Sequence, residues 1–231
     1  MDARRDVFES VGVIPCIPSP YCVRTCRDKE LLMRRFADHS AVTVIPTWRV
    51  SEFLRLRPFK GALIAKPRNG RSSQGLLRCT SIDQLTGFTG REDLIVQPVI
   101  TGPVFAVDCL RDATDGRSVF VAREELIRTP HGAGVTIRFT TDSGLLEMCQ
   151  HVVDGLALHG CINLEFIRQG DRYLLMDANP RFSAGVGFSQ LAGYDMVANH
   201  LRCHSGDPID PSVHVPHGTM ATRRQELEVL K

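Results

Sequence analysis

The chain is poor in the features that mark several common classes of protein. It has 6% aromatic residues and a net charge of +2 over 231 residues. A nucleic-acid partner is not expected, because such proteins need a basic surface and rings on which bases stack. No apolar run approaches the roughly 18 residues that a membrane-spanning helix requires, and the charged residues 1–6 lead into no signal-peptide core. We therefore expect a soluble, cytoplasmic protein with no membrane contact.

The cysteines and histidines lack the spacing of a metal site. Eight cysteines are scattered singly, and no second close Cys/His pair accompanies Cys22 and Cys26. A zinc knuckle is therefore not expected, and neither is a His-Glu-x-x-His metal helix, since the eight histidines form no such pattern. Buried, reduced thiols are the expected state of the cysteines.

What is present is a mixture of helical and strand patterns. With 43% hydrophobic residues the chain can build one two-lobed domain or two small ones. Helices are predicted at residues 28–39 with Asp28 as N-cap, at 145–159 ended by Gly160, and at 189–204 ended by Gly206. Strands are predicted at residues 62–66, 76–79, 94–100, 105–110, 118–123, 164–167 and 173–177. The prolines within residues 1–27 predict extended chain and turns there. The expected class is α+β with antiparallel hairpins.

The most informative stretch is residues 163–181, which predicts a hairpin with acidic groups on both strands. Glu165 lies on its first strand, and the second strand leads into Asp177-Ala178-Asn179-Pro180-Arg181. Two carboxylates at paired positions repel each other unless a cation lies between them. Carboxylate and carboxamide oxygens suit magnesium, and Arg181 could hold a phosphate with two hydrogen bonds. A surface hairpin with solvated charges is the alternative.

Two upstream segments add groups suited to a nucleotide. Lys66 ends an apolar strand and is followed by a Gly/Ser loop, residues 67–75, whose N–H groups could contact phosphate oxygens. The loop lacks the Gly-Lys-Ser/Thr of a P-loop, and a mobile basic turn is its alternative. In residues 96–100 the C=O of Pro98 and the N–H of Ile100 could face an adenine ring. The alternative there is an edge strand that carries a proline.

Taken in order, these pieces resemble the ATP-grasp superfamily, most closely its carbamoyl-phosphate-synthetase-like branch. The resemblance runs from Asp28-Lys29 to about Gly206, and its most specific part is Asp177-Ala178-Asn179-Pro180-Arg181. It implies two α+β lobes with antiparallel sheets that clasp ATP. The implied division is residues 1–27 as the remnant of a preceding domain, 28–97 as the small lobe, 98–206 as the large lobe, and 207–231 as a tail.

The resemblance also implies roles for individual residues. The implied ATP-binding residues are Lys29, Lys66, Ser72, Ser73, Gly75, Gln97, Pro98 and Ile100. His131 could also contact phosphate, and a histidine on the loop surface is the alternative. The implied ligands of magnesium, with two ions expected, are Glu165, Asp177 and Asn179. Arg181 and Lys66 would act on the transferring phosphoryl group. From their position before the loop at residues 129–134, Arg123 and Arg128 could clamp a substrate carboxylate, and solvent-facing charges beside a strand are the alternative.

Three departures from the family pattern bear on function. Val104 stands where this branch usually has a ribose-binding glutamate, and Asp177 is one methylene shorter than the usual glutamate. The usual preceding domain is reduced to residues 1–27, so a partner chain or a second copy could complete the protein.

The expected activity is an ATP-dependent carboxylate–amine ligase that works through an acyl phosphate. The alternatives are a nucleotide-binding subunit without ligase chemistry, and phosphorylation of a small acid without ligation.

Overall fold

The computed structural model describes residues 4–57, 61–70, 74–211 and 213–224. Its helices are α1 (Arg5–Ser10), α2 (Pro20–Arg27), α3 (Lys29–Phe36), α4 (Val50–Leu56), α5 (Asp83–Thr86), α6 (Ser143–Gly155), α7 (Val186–Leu191) and α8 (Met196–Ser205). Its strands are β1 (Trp48–Arg49), β2 (Leu63–Pro67), β3 (Leu77–Cys79), β4 (Leu94–Pro98), β5 (Val104–Arg111), β6 (Ser118–Arg128), β7 (Gly134–Thr140), β8 (Gly160–Gln169), β9 (Arg172–Asn179) and β10 (Met220–Thr222). Within those ranges no helix combines the length and the apolar character needed to cross a membrane.

The strands form two antiparallel sheets, which confirms the predicted α+β class. The smaller sheet has the order β1-β4-β2-β3, and the larger has the order β10-β7-β6-β5-β8-β9. The small sheet has its own core, built with α4 and α5 around Phe53 and Leu85. Each sheet therefore has a hydrophobic face with helices against it.

The larger sheet carries helices on both faces. Alternate residues of β5 point to opposite sides, so Val107 packs with α2, α3 and α6, while Leu110 packs with α7 and α8. Helices α2 and α3 thus share the core of the larger sheet. The predicted division of the chain at residues 27, 97 and 206 stays a prediction.

The N-terminal region contradicts the prediction of extended chain. Pro20 is the first residue of α2, where a missing N–H removes no intrahelical hydrogen bond. The side chain of Ser19 caps this helix by accepting a hydrogen bond from Cys22 N at 3.2 Å. The prolines therefore start a helix rather than prevent one. The predicted cap of α3 is confirmed, since Asp28 Oδ1 accepts from Glu30 N at 3.0 Å and from Leu31 N at 3.3 Å.

Two other helix boundaries differ from the predictions. Helix α6 ends at Gly155, and Gly160 instead opens β8 with a φ of 92°. The predicted helix at 189–204 is two helices, α7 and α8, separated by a turn at Gly193 with a φ of 83°. Gly206 does end α8 in a left-handed conformation, as predicted.

The C-terminal region adds a strand that the sequence did not predict. Strand β10 pairs with β7 through Ala221 and Ile137. Neither strand was predicted, because β7 is rich in polar residues at its exposed positions and β10 has three residues.

Candidate active site

The predicted acidic hairpin is formed by β8 and β9. Glu165 and Asp177 are direct Cα partners, and a register irregularity follows immediately after Glu165. Leu164 and Ala178, their neighbours, point into the core shared with α2, α3 and α6. Because side chains alternate along strands, the two carboxylates lie on the opposite side of the sheet from that core.

Basic side chains hold both carboxylates. Lys29 Nζ lies 3.2 Å from Asp177 Oδ1 and 3.1 Å from Oδ2, and it also donates to Gly70 O at 3.0 Å. Arg128 Nη2 donates to Glu165 Oε2 at 3.0 Å. Lys29 and Asp177 are 148 positions apart in the chain, and Arg128 and Glu165 are 37 apart. The sequence alone could not predict either contact.

The pKa shifts reflect burial of these charges. Burial lowers the pKa of Lys66 to about 8; the charges of Asp177 and Glu165 oppose this shift, while that of Lys29 adds to it. Burial raises the pKa of Glu165, and the neighbouring charge of Asp177 raises it further, while Arg128 opposes this. The site therefore holds charges that its own partners compensate only in part, which is typical of ligand-binding positions.

These residues line a cleft between the two sheets with a volume of about 220 Å³. One end is charged, and its lining comprises Lys29, Lys66, Arg128, Glu165 and Asp177. The other end is largely apolar, and its lining comprises Ile45, Ile100, Ile167 and Met176, which pack in one cluster. A ligand with a flat apolar part and an anionic part matches this gradient.

The segment predicted to contact adenine lies at the apolar end. Gln97 is buried, and its Nε2 donates to Thr47 Oγ1 at 2.8 Å, so its side chain is engaged within the protein. The N–H of Val99 donates to Ala62 O at 2.9 Å. Pro98 and Ile100, on either side of Val99, both line the cleft. The backbone, rather than the Gln97 side chain, is what this segment can offer to a base.

The predicted phosphate loop is only partly described. Ser72 and Ser73 lie outside the described residues. Gly75 has a φ of 70°, and a Cβ there would lie 3.0 Å from Pro67 Cγ, so the turn requires glycine. His131 lines the cleft as predicted.

A second cavity of about 360 Å³ adjoins the charged end of the cleft. The two share Lys29, Gly70 and Asp177. Asn179 and Arg181 lie in this second cavity, where Arg181 Nη2 donates to Asn179 Oδ1 at 3.3 Å. Every predicted metal ligand therefore lines one of the two cavities, with Asp177 in both.

The structure does not bring Arg123 to this site. Its side chain is 1% exposed, and Nη1 donates to Asp108 Oδ2 at 2.8 Å while Nη2 donates to Ser183 Oγ at 3.1 Å. Arg128 does line the cleft, but its guanidinium is held by Glu165 and by Glu125 Oε2 at 2.7 Å. We therefore do not retain Arg123 as a substrate contact. The strand pattern alone could not reveal that it faces Asp108.

The oxygen donors suit a magnesium ion. Asn179 Nδ2 lies 3.4 Å from Glu165 Oε1, so the carboxamide and the carboxylate adjoin. Lys29 and Arg128 each place a cation against a carboxylate, and burial with mutual repulsion raises the pKa of Glu165. A divalent cation would relieve that repulsion, and two carboxylates with a carboxamide are the hard ligands that magnesium takes. Among described residues no group of three His, Cys, Asp or Glu side chains could hold a metal.

Sequence reasoning missed Arg27 and the apolar lining residues Ile17 and Val23 of the second cavity. They lie on α2 or just before it. The sequence did not predict this helix, because the prolines near it indicated extended chain. The signal that could have found it is Ser19-Pro20, an N-cap residue followed by proline at the first helical position.

Comparison with known proteins gives a family and a fold. The family model described as "ATP-grasp in the biosynthetic pathway with Ter operon" matches residues 90–227, more than half of the chain. No curated protein matches the sequence.

Solved structures with the same fold are longer and distant in sequence. A biotin carboxylase from Campylobacter jejuni is similar with a TM-score of 0.78 at 15% identity, over 93% of this chain and 54% of that one. An N5-carboxyaminoimidazole ribonucleotide synthetase from Thermus thermophilus gives a TM-score of 0.74 at 18% identity, over 94% and 61%. A Rhizobium etli pyruvate carboxylase gives 0.77 at 16%, over 94% and 21%. The chain thus spans less than two thirds of each of these structures, and the likeness shows the ATP-grasp fold.

Proposed function

Because the chain belongs to the family described as ATP-grasp in the biosynthetic pathway with the Ter operon, we propose that it is an ATP-dependent carboxylate–amine ligase. The reaction proceeds through an acyl phosphate and needs magnesium. The observation that carries the proposal is the direct pairing of Glu165 with Asp177 beside Lys29 and Lys66, at the charged end of a cleft whose other end is apolar.

ATP fits the cleft with its adenine at the apolar end. The base would lie against Ile100 and Met176, which pack in one apolar cluster, and would meet the backbone of Pro98 and Ile100. The phosphates extend toward Lys29 and Lys66. The cleft has a volume of about 220 Å³, and entry of the phosphates would replace the contact of Lys29 Nζ with Gly70 O. His131, Gly70 and Gln74 line the cleft and would contact the phosphates.

The basic residues stabilise the transferring phosphoryl group. Lys66 is a half-buried point charge, and phosphate binding raises its pKa and keeps it protonated. Lys29 exchanges its contact with Asp177 for one with phosphate. Glu165, Asp177 and Asn179 would hold magnesium, with two ions expected, which would supply positive charge against the phosphates. Arg181 holds the outer oxygens of the γ-phosphoryl group.

The chemical sequence has two displacements. An oxygen of the substrate carboxylate attacks the γ-phosphorus, the bond to the bridging β–γ oxygen breaks, and ADP leaves. The nitrogen of a neutral amine then attacks the acyl carbon, phosphate leaves, and the amine loses a proton. The protein contributes position and charge to both steps.

The test is a double substitution in the hairpin. Asp177→Ala with Asn179→Ala removes two of the three proposed metal ligands, so release of ADP should be lost. Asp171→Ala, at the exposed tip of the same hairpin, is the matched control and should release ADP at the wild-type rate. Release of ADP by the double variant at an unchanged rate would contradict the assignment.

The comparisons do not favour a nucleotide-binding subunit without catalysis, although the valine at position 104 is what suggests it. Acid phosphorylation without ligation is distinguished by mass spectrometry of the products. The need for a partner chain or a second copy stays a prediction, as does the cytoplasmic location.

A further inference from the structure

The second cavity has the composition of a binding site for an amphipathic anion. Its apolar wall comprises Ile17, Val23, Cys26, Ala178 and Pro180. Its charged residues are Arg27, Lys29, Arg181 and Asp177, and Asp177 is already paired with Lys29. The lining is therefore positive, and its volume of about 360 Å³ suits a small organic molecule.

The position of this cavity fits the nucleophile of a phosphoryl transfer. In such a transfer the attacking and leaving oxygens lie roughly in line on opposite sides of the phosphorus. If ADP leaves from the cleft, the attacking carboxylate must approach from the far side of the phosphoryl group. Lys29, Gly70 and Asp177 form the boundary that the cleft shares with the second cavity, so the far side is that cavity.

Arg27 is the cation that the proposed chemistry leaves unassigned. It lies in the last turn of α2, is exposed, and lines the second cavity. Within the described ranges no ion pair or hydrogen bond of its side chain is seen. Arg24, one turn earlier on the same helix, is also exposed but lines neither cavity.

We propose that the second cavity binds the carboxylate substrate, and that this substrate carries an apolar group. This assignment rests on the proposed ligase function. Arg27 binds one oxygen of the carboxylate through its guanidinium, which leaves the other oxygen facing the γ-phosphoryl group that Arg181 holds. The apolar group lies against Val23, Cys26 and Pro180, where its burial favours binding.

The first experiment measures equilibrium binding by calorimetry, with and without ADP and magnesium. The probes are 4-methylpentanoate, L-leucine, acetate and succinate. We expect 4-methylpentanoate or L-leucine to bind more tightly than acetate and succinate, and the better of those two tells whether the natural acid carries an α-amino group.

Variants then locate the bound acid. Arg27→Ala should weaken binding of the preferred acid by about 10- to 100-fold, the effect of losing a charged hydrogen-bond partner. Arg24→Ala should change it less than twofold. Val23→Phe should fill the apolar part of the cavity and weaken acid binding while ADP affinity stays unchanged. A binding curve that Arg27→Ala leaves unaltered, or a failure of all four acids to bind, would overturn the proposal.

The second experiment separates this proposal from the ligase function. With ATP, magnesium, the preferred acid and hydroxylamine as the amine, an acyl phosphate is captured as a hydroxamate. Arg27→Ala should raise the KM for the acid by at least tenfold and change kcat less than threefold. Acid binding that depends on Arg27, with no ADP or hydroxamate formed, would overturn the ligase function and leave the cavity assignment intact. Hydroxamate formation with an unchanged KM for the acid in Arg27→Ala would overturn the cavity assignment and leave the ligase function intact.

Discussion

Two groups of charged residues meet at Lys29, and they hold their charges in different ways. The first, which we call the α3 clamp, consists of Asp28, Glu30, Arg49 and Arg68. The second is the charged end of the cleft, with Lys29, Lys66, Glu165 and Asp177. Asp28 and Glu30 flank Lys29 in the sequence, so one turn of helix belongs to both.

In the α3 clamp the charges are matched by close partners. Arg68 Nη2 lies 2.6 Å from Asp28 Oδ2, and Arg68 Nη1 lies 2.9 Å from Glu30 Oε2. Arg49 Nε donates to Glu30 Oε1 at 2.7 Å. Burial would raise the pKa of Asp28, but hydrogen bonds from Arg68 and from Leu31 N outweigh it and lower that pKa. Lys29 N donates to Arg68 O at 3.0 Å, so the clamp also fixes the backbone of Lys29.

At the charged end of the cleft the matching is incomplete. Burial moves the pKa of Lys66 down and that of Glu165 up, each toward its neutral form. From this difference we infer which charges stabilise the fold and which are available to bind a ligand. A charge that its neighbours fully compensate maintains structure, whereas a charge that they compensate in part gains from a ligand of opposite sign.

The largest expected effect comes from the cleft. Glu165→Gln should lower the rate of ADP release by about 100- to 1000-fold, or about 3–4 kcal/mol of transition-state stabilisation. The melting temperature should not fall, because the substitution removes a partly buried negative charge that Asp177 repels, and Arg128 keeps its ion pair with Glu125. Calorimetric melting and an ADP assay measure both quantities. A large fall in melting temperature would show that Glu165 stabilises the fold rather than serving to bind a ligand.

The next effect comes from the α3 clamp. Glu30→Ala leaves Arg49 and Arg68 without their shared carboxylate, and it should lower the free energy of unfolding by about 3 kcal/mol. Urea denaturation measures this loss. Magnesium-dependent ADP binding by the folded fraction should persist, since Glu30 lines neither the cleft nor the second cavity. A loss of binding with no loss of stability would reverse the roles that we assign to the two groups.

A smaller effect concerns pH. Phosphate binding favours protonated Lys66, so nucleotide affinity should be constant below pH 8 and fall above it, with a limiting slope of about tenfold per pH unit. Lys66→Arg keeps the charge and should flatten this profile. Since the folded pKa is below the unfolded value of 10.5, stability of the free protein should rise with pH between about 8 and 10.5. Calorimetric titrations from about pH 7 to about pH 9 test the affinity, and a flat wild-type profile would contradict it.

The smallest effect serves as the matched control for Glu30. Arg49 also contacts Glu92 at 3.0 Å, but the Glu92 side chain is 60% exposed while that of Glu30 is 3% exposed. Glu92→Ala should therefore change the free energy of unfolding by less than about 1 kcal/mol. Equal losses from Glu92→Ala and Glu30→Ala would show that burial does not distinguish the two partners of Arg49.

The sequence predicted the hairpin at the centre of the site because its pattern is local. Alternation and a glycine turn predict the two strands. The exact pairing of Glu165 with Asp177 depends on the irregularity after Glu165, because an unbroken register from the turn would place Glu165 opposite Met176. The resemblance to ATP-grasp proteins predicted that Lys29, Lys66 and Gln97 lie near this hairpin. In the structure all three line the cleft. The roles of these residues stay predictions.

What the sequence could not predict depends on contacts between distant segments. Arg123 and Arg128 lie on the same strand and have similar neighbours in the sequence. Only Arg123 is buried, because it pairs with Asp108 on the neighbouring β5. The second cavity requires α2 to pack beside the end of β9, and the prolines before α2 indicated no helix. The α3 clamp joins Asp28 to Arg68 across 40 positions, and no local pattern reports such a pairing.

The central claim is that Glu165, Asp177 and Asn179 bind magnesium together with the phosphates of a nucleotide at Lys29 and Lys66. The most direct measurement is a calorimetric titration of ADP with and without magnesium, on the wild type and on Asp177→Ala with Asn179→Ala. We predict that magnesium raises ADP affinity at least tenfold in the wild type and has no effect in the variant. Equal ADP affinity with and without magnesium in the wild type, or an equal magnesium effect in both proteins, would contradict the account.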